Sequence, residues 1–103
     1  MTNLLKNQII IDGLEYCNWN RELLENLWKG GITAVHVTLV YWENTEESFK
    51  KIFEIEKLIE NNQDIVCHAK TTEDILNAKH DKKVAFIFGF QNSAPIANDI
   101  YLV

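Results

Sequence analysis

Residues 8–16 decide the fold, and they read QIIIDGLEY. Three consecutive isoleucines are typical of a parallel β-strand buried on both faces, because β-branched side chains fit the pleat and helices cover both sides. An Asp-Gly pair ends the run, so the sequence predicts a first strand over residues 9–12. Ligands of open α/β sheets and α/β barrels bind at the carboxyl ends of the strands. The rim of a site is therefore expected at the residues that follow, which are Leu14, Glu15 and Tyr16.

Length and composition indicate one small domain. The chain has 103 residues, of which 47% are hydrophobic, as in ordinary globular proteins. Fifteen acidic residues against ten basic ones give a formal charge of -5, and this balance argues against nucleic acid or an anionic membrane as a partner. No segment approaches the roughly 20 apolar residues of a membrane span, and the two cysteines, Cys17 and Cys67, lack metal-type or redox-type spacing. A cytoplasmic protein with free thiols is expected.

The rest of the chain alternates helical and strand patterns. The predicted order is a helix over residues 21–29, a strand over 32–42, a helix over 45–60, a short strand over 65–69, a helix over 71–78, a strand over 84–90 and a helical segment over 94–103. Right-handed crossovers would arrange these strands in a parallel sheet of three or four strands. The apolar residues 100–103 carry no stop signal, so we expect either part of a larger protein or self-association through exposed sheet edges.

Several segments, taken in order, resemble a known family. They are IIDG at residues 10–13, a helix ending KGG at 29–31, the VHVTL strand at 35–39, TEDI at 72–75 and KVAFIFGFQ at 83–91. Together they resemble the opening third of the membrane (renal) dipeptidases, zinc peptidases similar to the amidohydrolases. The resemblance implies an α/β fold in which residues 1–103 form a single partial domain. That domain would contain the first three or so βα units of a (β/α)8 TIM-type barrel, with parallel strands and helices outside.

The same resemblance implies a two-zinc site that hydrolyses dipeptides, but its ligand positions are altered in this chain. Where the family has a zinc-binding His and Asp after the first strand, this sequence has Leu14 and Tyr16, and the bridging Glu is replaced by Gln91. Leucine has no donor atom, a phenol with a pKa near 10 is a poor zinc ligand, and an amide oxygen is a weak substitute for a carboxylate. We therefore expect no bound metal or other cofactor and no hydrolysis by this chain.

A second hypothesis keeps the scaffold and replaces catalysis by binding. In it, a rim formed by Glu15, Tyr16, Gln91 and Asn92 would hold a small peptide or polar metabolite. Each member also has a simpler interpretation: Glu15 as a solvated loop carboxylate, and the segment at residues 91–93 as a helix-capping turn. A third hypothesis is a three-layer α/β interaction module unrelated to hydrolases.

The histidines and tryptophans favour structural roles. His36 lies mid-strand and is expected to be hydrogen-bonded. Cys67 and His68 are adjacent in an extended segment, so their side chains should point to opposite faces and form no catalytic pair. His80 is expected to be exposed. The three tryptophans are expected in core or rim packing; they are Trp19, Trp28 and Trp42.

Overall fold

A computed structural model describes residues 7–103. Its strands are β1 (Ile11–Glu15), β2 (Ala34–Val40), β3 (Val66–His68) and β4 (Val84–Phe90), and its helices are α1 (Arg21–Lys29), α2 (Thr45–Asn61) and α3 (Thr72–His80). Two short 3₁₀ turns follow, at Ala94–Ile96 and Ile100–Leu102. The four strands form one parallel sheet in the order β1-β2-β4-β3. A parallel-stranded α/β architecture, as the sequence predicts, is confirmed.

Polar side chains fix where each helix begins. The Asn20 side chain accepts a hydrogen bond from the Leu23 N–H at 2.9 Å at the start of α1. Asn44 caps α2 in the same way through the Glu47 N–H. Thr71 opens α3 with a reciprocal capping box. Each side chain satisfies a backbone donor that has no partner within its own helix.

The sheet order places helices on both faces. The connection from β2 through α2 passes over β4 to reach β3, and the connection through α3 then runs back to β4. Right-handed crossovers in opposite directions lie on opposite faces of a sheet. Accordingly, α1 and α2 pack on the face that carries Val35 and Phe86. The other face, at Ala34 and Ala85, packs against α3. Helices therefore cover both faces of this four-stranded sheet, with α1 and α2 on one face and α3 on the other.

The first strand differs from its prediction in position and burial. It spans Ile11–Glu15 instead of residues 9–12, so Leu14 and Glu15 lie within it and only Tyr16 follows it. The side chains of Ile9 and Ile11 are 42% and 49% exposed, whereas burial on both faces was expected. The reason is that, among residues 7–103, β1 lies at an edge of the sheet and pairs with β2 alone.

The carboxyl-terminal segment is not the helix that its apolar spacing predicts. Pro95 does lie in the first turn, but that turn ends at Ala97, whose φ of 48° cannot continue a right-handed helix. The second turn then starts afresh with the Asp99 side chain accepting from the Tyr101 N–H. Within residues 7–103, no helix has the length and apolar character required to cross a membrane.

Candidate functional site

The carboxyl ends of β1, β2 and β4 lie side by side, because these strands are parallel neighbours. We call this edge of the sheet the rim. Glu15 is opposite Val37 of β2, Tyr16 follows β1, and Gln91 and Asn92 follow β4. The structure thus places all four predicted rim residues at this edge, although Glu15 stands inside the strand.

Two hydrogen bonds and one aromatic contact join β4, β2 and β1 at the rim. The Gln91 amide donates from Nε2 to Thr38 Oγ1 at 3.3 Å. The Asn92 amide donates to the Tyr41 carbonyl oxygen, and the Tyr41 ring lies 5.9 Å from that of Tyr16. Tyr41 therefore connects Tyr16 to Asn92. Its role in the rim was not predicted, because as the residue just after β2 it seemed only to continue an apolar strand.

Asn92 also stabilises the turn that follows β4. Its Oδ1 accepts a hydrogen bond from the Ala94 N–H at 2.7 Å, which starts the turn containing Pro95. The side chain thus links three segments with its amide nitrogen and oxygen. Asn92 therefore has a structural role in this turn, while the Gln91 side chain donates to Thr38.

An irregularity in β1 brings Asp12 and Glu15 together. Asp12 is opposite Val35 and Glu15 is opposite Val37, so β1 uses one residue more than β2 between the two pairs. This bulge puts both carboxyl groups on the same face, where they share a hydrogen bond. That bond raises the pKa of Glu15, with smaller contributions from burial and from the negative charge of Asp12. It is also the main reason that the pKa of Asp12 is lowered, together with the Leu14 N–H.

Sequence reasoning missed this carboxyl pair. In a regular strand, residues three apart point to opposite faces, so the spacing of Asp12 and Glu15 indicates no contact. The only local signal was Gly13, a residue that is common at bulges.

His36 connects β1 and β4 across β2. Its Nδ1 lies 3.0 Å from the Gly13 carbonyl oxygen. Since a carbonyl can only accept, Nδ1 must carry the proton. The ring lies against Gly89, where a Cβ atom would stand 1.9 Å from His36 Nε2. The expected structural, hydrogen-bonded histidine is confirmed.

In the described part of the chain, the other histidines, Cys67 and Trp19 show packing or solvent exposure and no contact that indicates catalysis. His68 stacks on Phe88 with ring centroids 3.9 Å apart, and burial lowers its pKa. Cys67 packs on the opposite face of the sheet, so the two side chains do point apart. The His80 side chain is 89% exposed. Trp19 packs on Phe86 in the core.

A pocket of about 290 Å³ lies next to the rim. It is lined by the loop at residues 16–19, by one side of α2 and by Thr38 and Leu39 of β2. Tyr16 and Thr38 belong both to the lining of this pocket and to the rim, so the pocket is adjacent to the rim. From α2 the pocket receives two charged and two apolar side chains, which are Lys51, Glu54, Ile55 and Leu58. None of these four was predicted, because all lie at positions that read as an ordinary amphipathic helix.

The positions at which the resemblance implies zinc ligands do not fit that metal. Leu14 offers no donor atom, and the Tyr16 side chain is 63% exposed. Gln91 directs its amide nitrogen to Thr38, and its oxygen is uncharged. Across residues 7–103, no three His, Cys, Asp or Glu side chains are grouped closely enough to hold a metal ion. The donors present in this part of the chain therefore do not form a dinuclear zinc site.

The parallel sheet has an amidohydrolase-like α/β fold, as comparison with one solved structure shows. A crystal structure of an amidohydrolase from Pseudomonas aeruginosa superposes with a TM-score of 0.93 and 39% sequence identity over 95% of this chain. The chain spans 30% of the length of that protein. No protein-family model matches the sequence, and no curated protein matches it. The amidohydrolase part of the resemblance is thereby supported.

Proposed function

We propose that this chain is the amino-terminal part of a dipeptidase-type amidohydrolase scaffold, with β1, β2 and β4 corresponding to successive strands of a (β/α)8 barrel. We further propose that the chain by itself does not hydrolyse dipeptides. The observation that carries the scaffold assignment is the 39% identity to a solved amidohydrolase at a TM-score of 0.93. In such barrels, the rim at the carboxyl ends of the strands holds the reacting groups.

The chemistry of the rim supports the second half of this proposal. Hydrolysis of an amide at neutral pH requires an activated water molecule, which metallohydrolases obtain by binding water to a metal ion. Leu14 and Gln91 supply no charged ligand for such an ion. The nearby carboxyl pair, Asp12 and Glu15, stands opposite Val35 and Val37 of β2, whose side chains lie in the core cluster that α1 and α2 contact. It is therefore on the side of the sheet opposite His36 and Thr38.

The test is a turnover assay with zinc. The purified 103-residue chain should be incubated with zinc and a panel of dipeptides, and free amino groups should be counted with and without a chelator. We expect no zinc-dependent release of amino acids above the rate of the buffer. Turnover that is abolished by the chelator would overturn the prediction of inactivity, whereas the scaffold assignment would remain.

A second function is favoured by the hydrogen bonds at the rim. Gln91 and Thr38 are already joined across two strands, and an amide and a hydroxyl together offer both donors and acceptors. On this alternative, Glu15, Tyr16, Gln91 and Asn92 bind a small peptide or polar metabolite without catalysis. Because a ligand that binds only the folded state raises the midpoint of thermal unfolding, dipeptides should stabilise the wild-type chain.

The variant Gln91→Met should reduce that stabilisation, and the same substitution at the exposed Gln63 serves as the matched control. Equal stabilisation of both variants would exclude Gln91 from the binding site.

A further inference from the structure

The pocket between the loop at residues 16–19 and α2 combines two opposite charges with an apolar interior. Lys51 and Glu54 are one helical turn apart and both line it. Their charged atoms, Lys51 Nζ and Glu54 Oε2, are 3.8 Å apart. Ile55, Leu58 and Leu39, which are less exposed than the two charged residues, provide its apolar lining. A ligand would thus meet charges at the mouth and hydrocarbon inside.

The existing Lys51–Glu54 pair is easily replaced. Both side chains are substantially exposed, at 47% and 67%, and pairs of this kind contribute little to stability. A ligand that carries a carboxylate and an ammonium group on one carbon atom could contact both side chains at once. Its carboxylate would accept hydrogen bonds from Lys51 while its ammonium group donates to Glu54, and such charge-assisted bonds are stronger than neutral ones.

The size of the pocket limits the ligand. At about 290 Å³ it is at the lower end of small-molecule pockets, which range over roughly 300–1,000 Å³. From these charges, this interior and this volume, we propose that the pocket binds a free α-amino acid with an aliphatic side chain. The ligand would lie beside the rim, between sheet and α2, and no metal would be involved. This binding goes beyond the proposed scaffold function and does not depend on hydrolysis.

The ligand test uses leucine and three analogues, each of which lacks part of the recognised charge. Calorimetry and amide NMR shifts of the 103-residue chain should show leucine binding at millimolar concentration. Isoamylamine, 4-methylpentanoic acid and N-acetyl-leucine amide should each bind at least about tenfold more weakly, since each loses one or both charge-assisted bonds. Absence of leucine binding by the folded chain would overturn the proposal, as would equal binding of the four compounds.

The variant test assigns the binding to these two side chains. Lys51→Gln and Glu54→Gln should each weaken leucine binding about tenfold, because each leaves one ligand charge unpaired. Lys50→Gln and Glu56→Gln are matched controls on the same helix, since neither residue lines the pocket. All four are exposed positions, and circular dichroism should show an unchanged fold. If the control variants weaken binding as much as the pocket variants do, the proposed site is wrong. Neither assay measures turnover, so their outcome is separable from that of the hydrolysis test.

Discussion

The substitution Gly89→Ala tests the contact that joins the three rim strands. A Cβ atom at residue 89 would stand 1.9, 2.7 and 2.9 Å from three atoms of the His36 ring, so the ring must move and give up its bond to the Gly13 carbonyl. Overpacking costs about 1–3 kcal/mol and the lost hydrogen bond about 1 kcal/mol. We expect the free energy of unfolding to fall by about 2–4 kcal/mol in urea denaturation.

Two further variants show whether the clash with His36 causes the loss of stability in Gly89→Ala. In the double variant His36→Ala with Gly89→Ala, the clash is gone. Its loss of unfolding free energy should therefore be about 1–3 kcal/mol smaller than the sum of the losses in the two single variants. Gly13→Ala is the matched control, because a Cβ atom there meets nothing within 4 Å, and it should change stability by no more than about 0.5 kcal/mol. A Gly89→Ala variant as stable as the wild type, or strict additivity in the double variant, would refute the proposed packing.

Three smaller predictions concern the cap of α3, the strained residue and the carboxyl pair. Thr71→Ala removes the hydroxyl that accepts from the Asp74 N–H and should cost about 1 kcal/mol in urea unfolding. Ala97→Gly relieves a positive φ and should add about 1 kcal/mol, seen as a higher midpoint of thermal unfolding. Asp12→Asn should lower the pKa of Glu15 in a carboxyl NMR titration, because an amide donates to the carboxylate. The raised pKa of Glu15 stabilises the fold below its unfolded value of about 4.3, and this contribution is lost as pH rises through the folded pKa.

Each of these three variants has a control variant elsewhere in the chain. Thr72→Ala leaves the cap of α3 intact and should have little effect on stability. Ala94→Gly lacks the positive φ of Ala97 and should destabilise slightly. Asp64→Asn breaks an ion pair with Arg21 that is unconnected with β1, so the pKa of Glu15 should not change. If Asp64→Asn changes the pKa of Glu15 as much as Asp12→Asn does, the direct contact between Asp12 and Glu15 is contradicted.

Local patterns were enough to predict most elements. The apolar spacing of residues 21–29 and the continuous run at 84–90 correspond closely to α1 and β4, because each pattern reports the burial of its own segment. The place of β3 could not be predicted in this way. That β3 lies outside β4, and that α3 therefore crosses the opposite face, depends on which strands pair across the chain.

The site was predictable in position but not in its contacts. Parallel strands alone put Glu15, Tyr16, Gln91 and Asn92 at one edge. The Asp12–Glu15 pair depends on a bulge, and the contact of His36 with Gly89 joins residues 53 positions apart in the sequence. Such contacts follow from strand register, which no local pattern encodes.

We propose that the rim lacks the metal ligands that the family resemblance implies, and zinc affinity tests this proposal most directly. By calorimetry the wild-type chain should bind zinc weakly. The triple variant Leu14→His, Tyr16→Asp and Gln91→Glu should bind at least about tenfold more tightly, since imidazole and carboxylate are the ligands that zinc prefers. The same three changes at the exposed positions Leu76, Tyr101 and Gln63 should have no such effect. Tight zinc binding by the wild type, or no gain in the triple variant over this control, would contradict the claim.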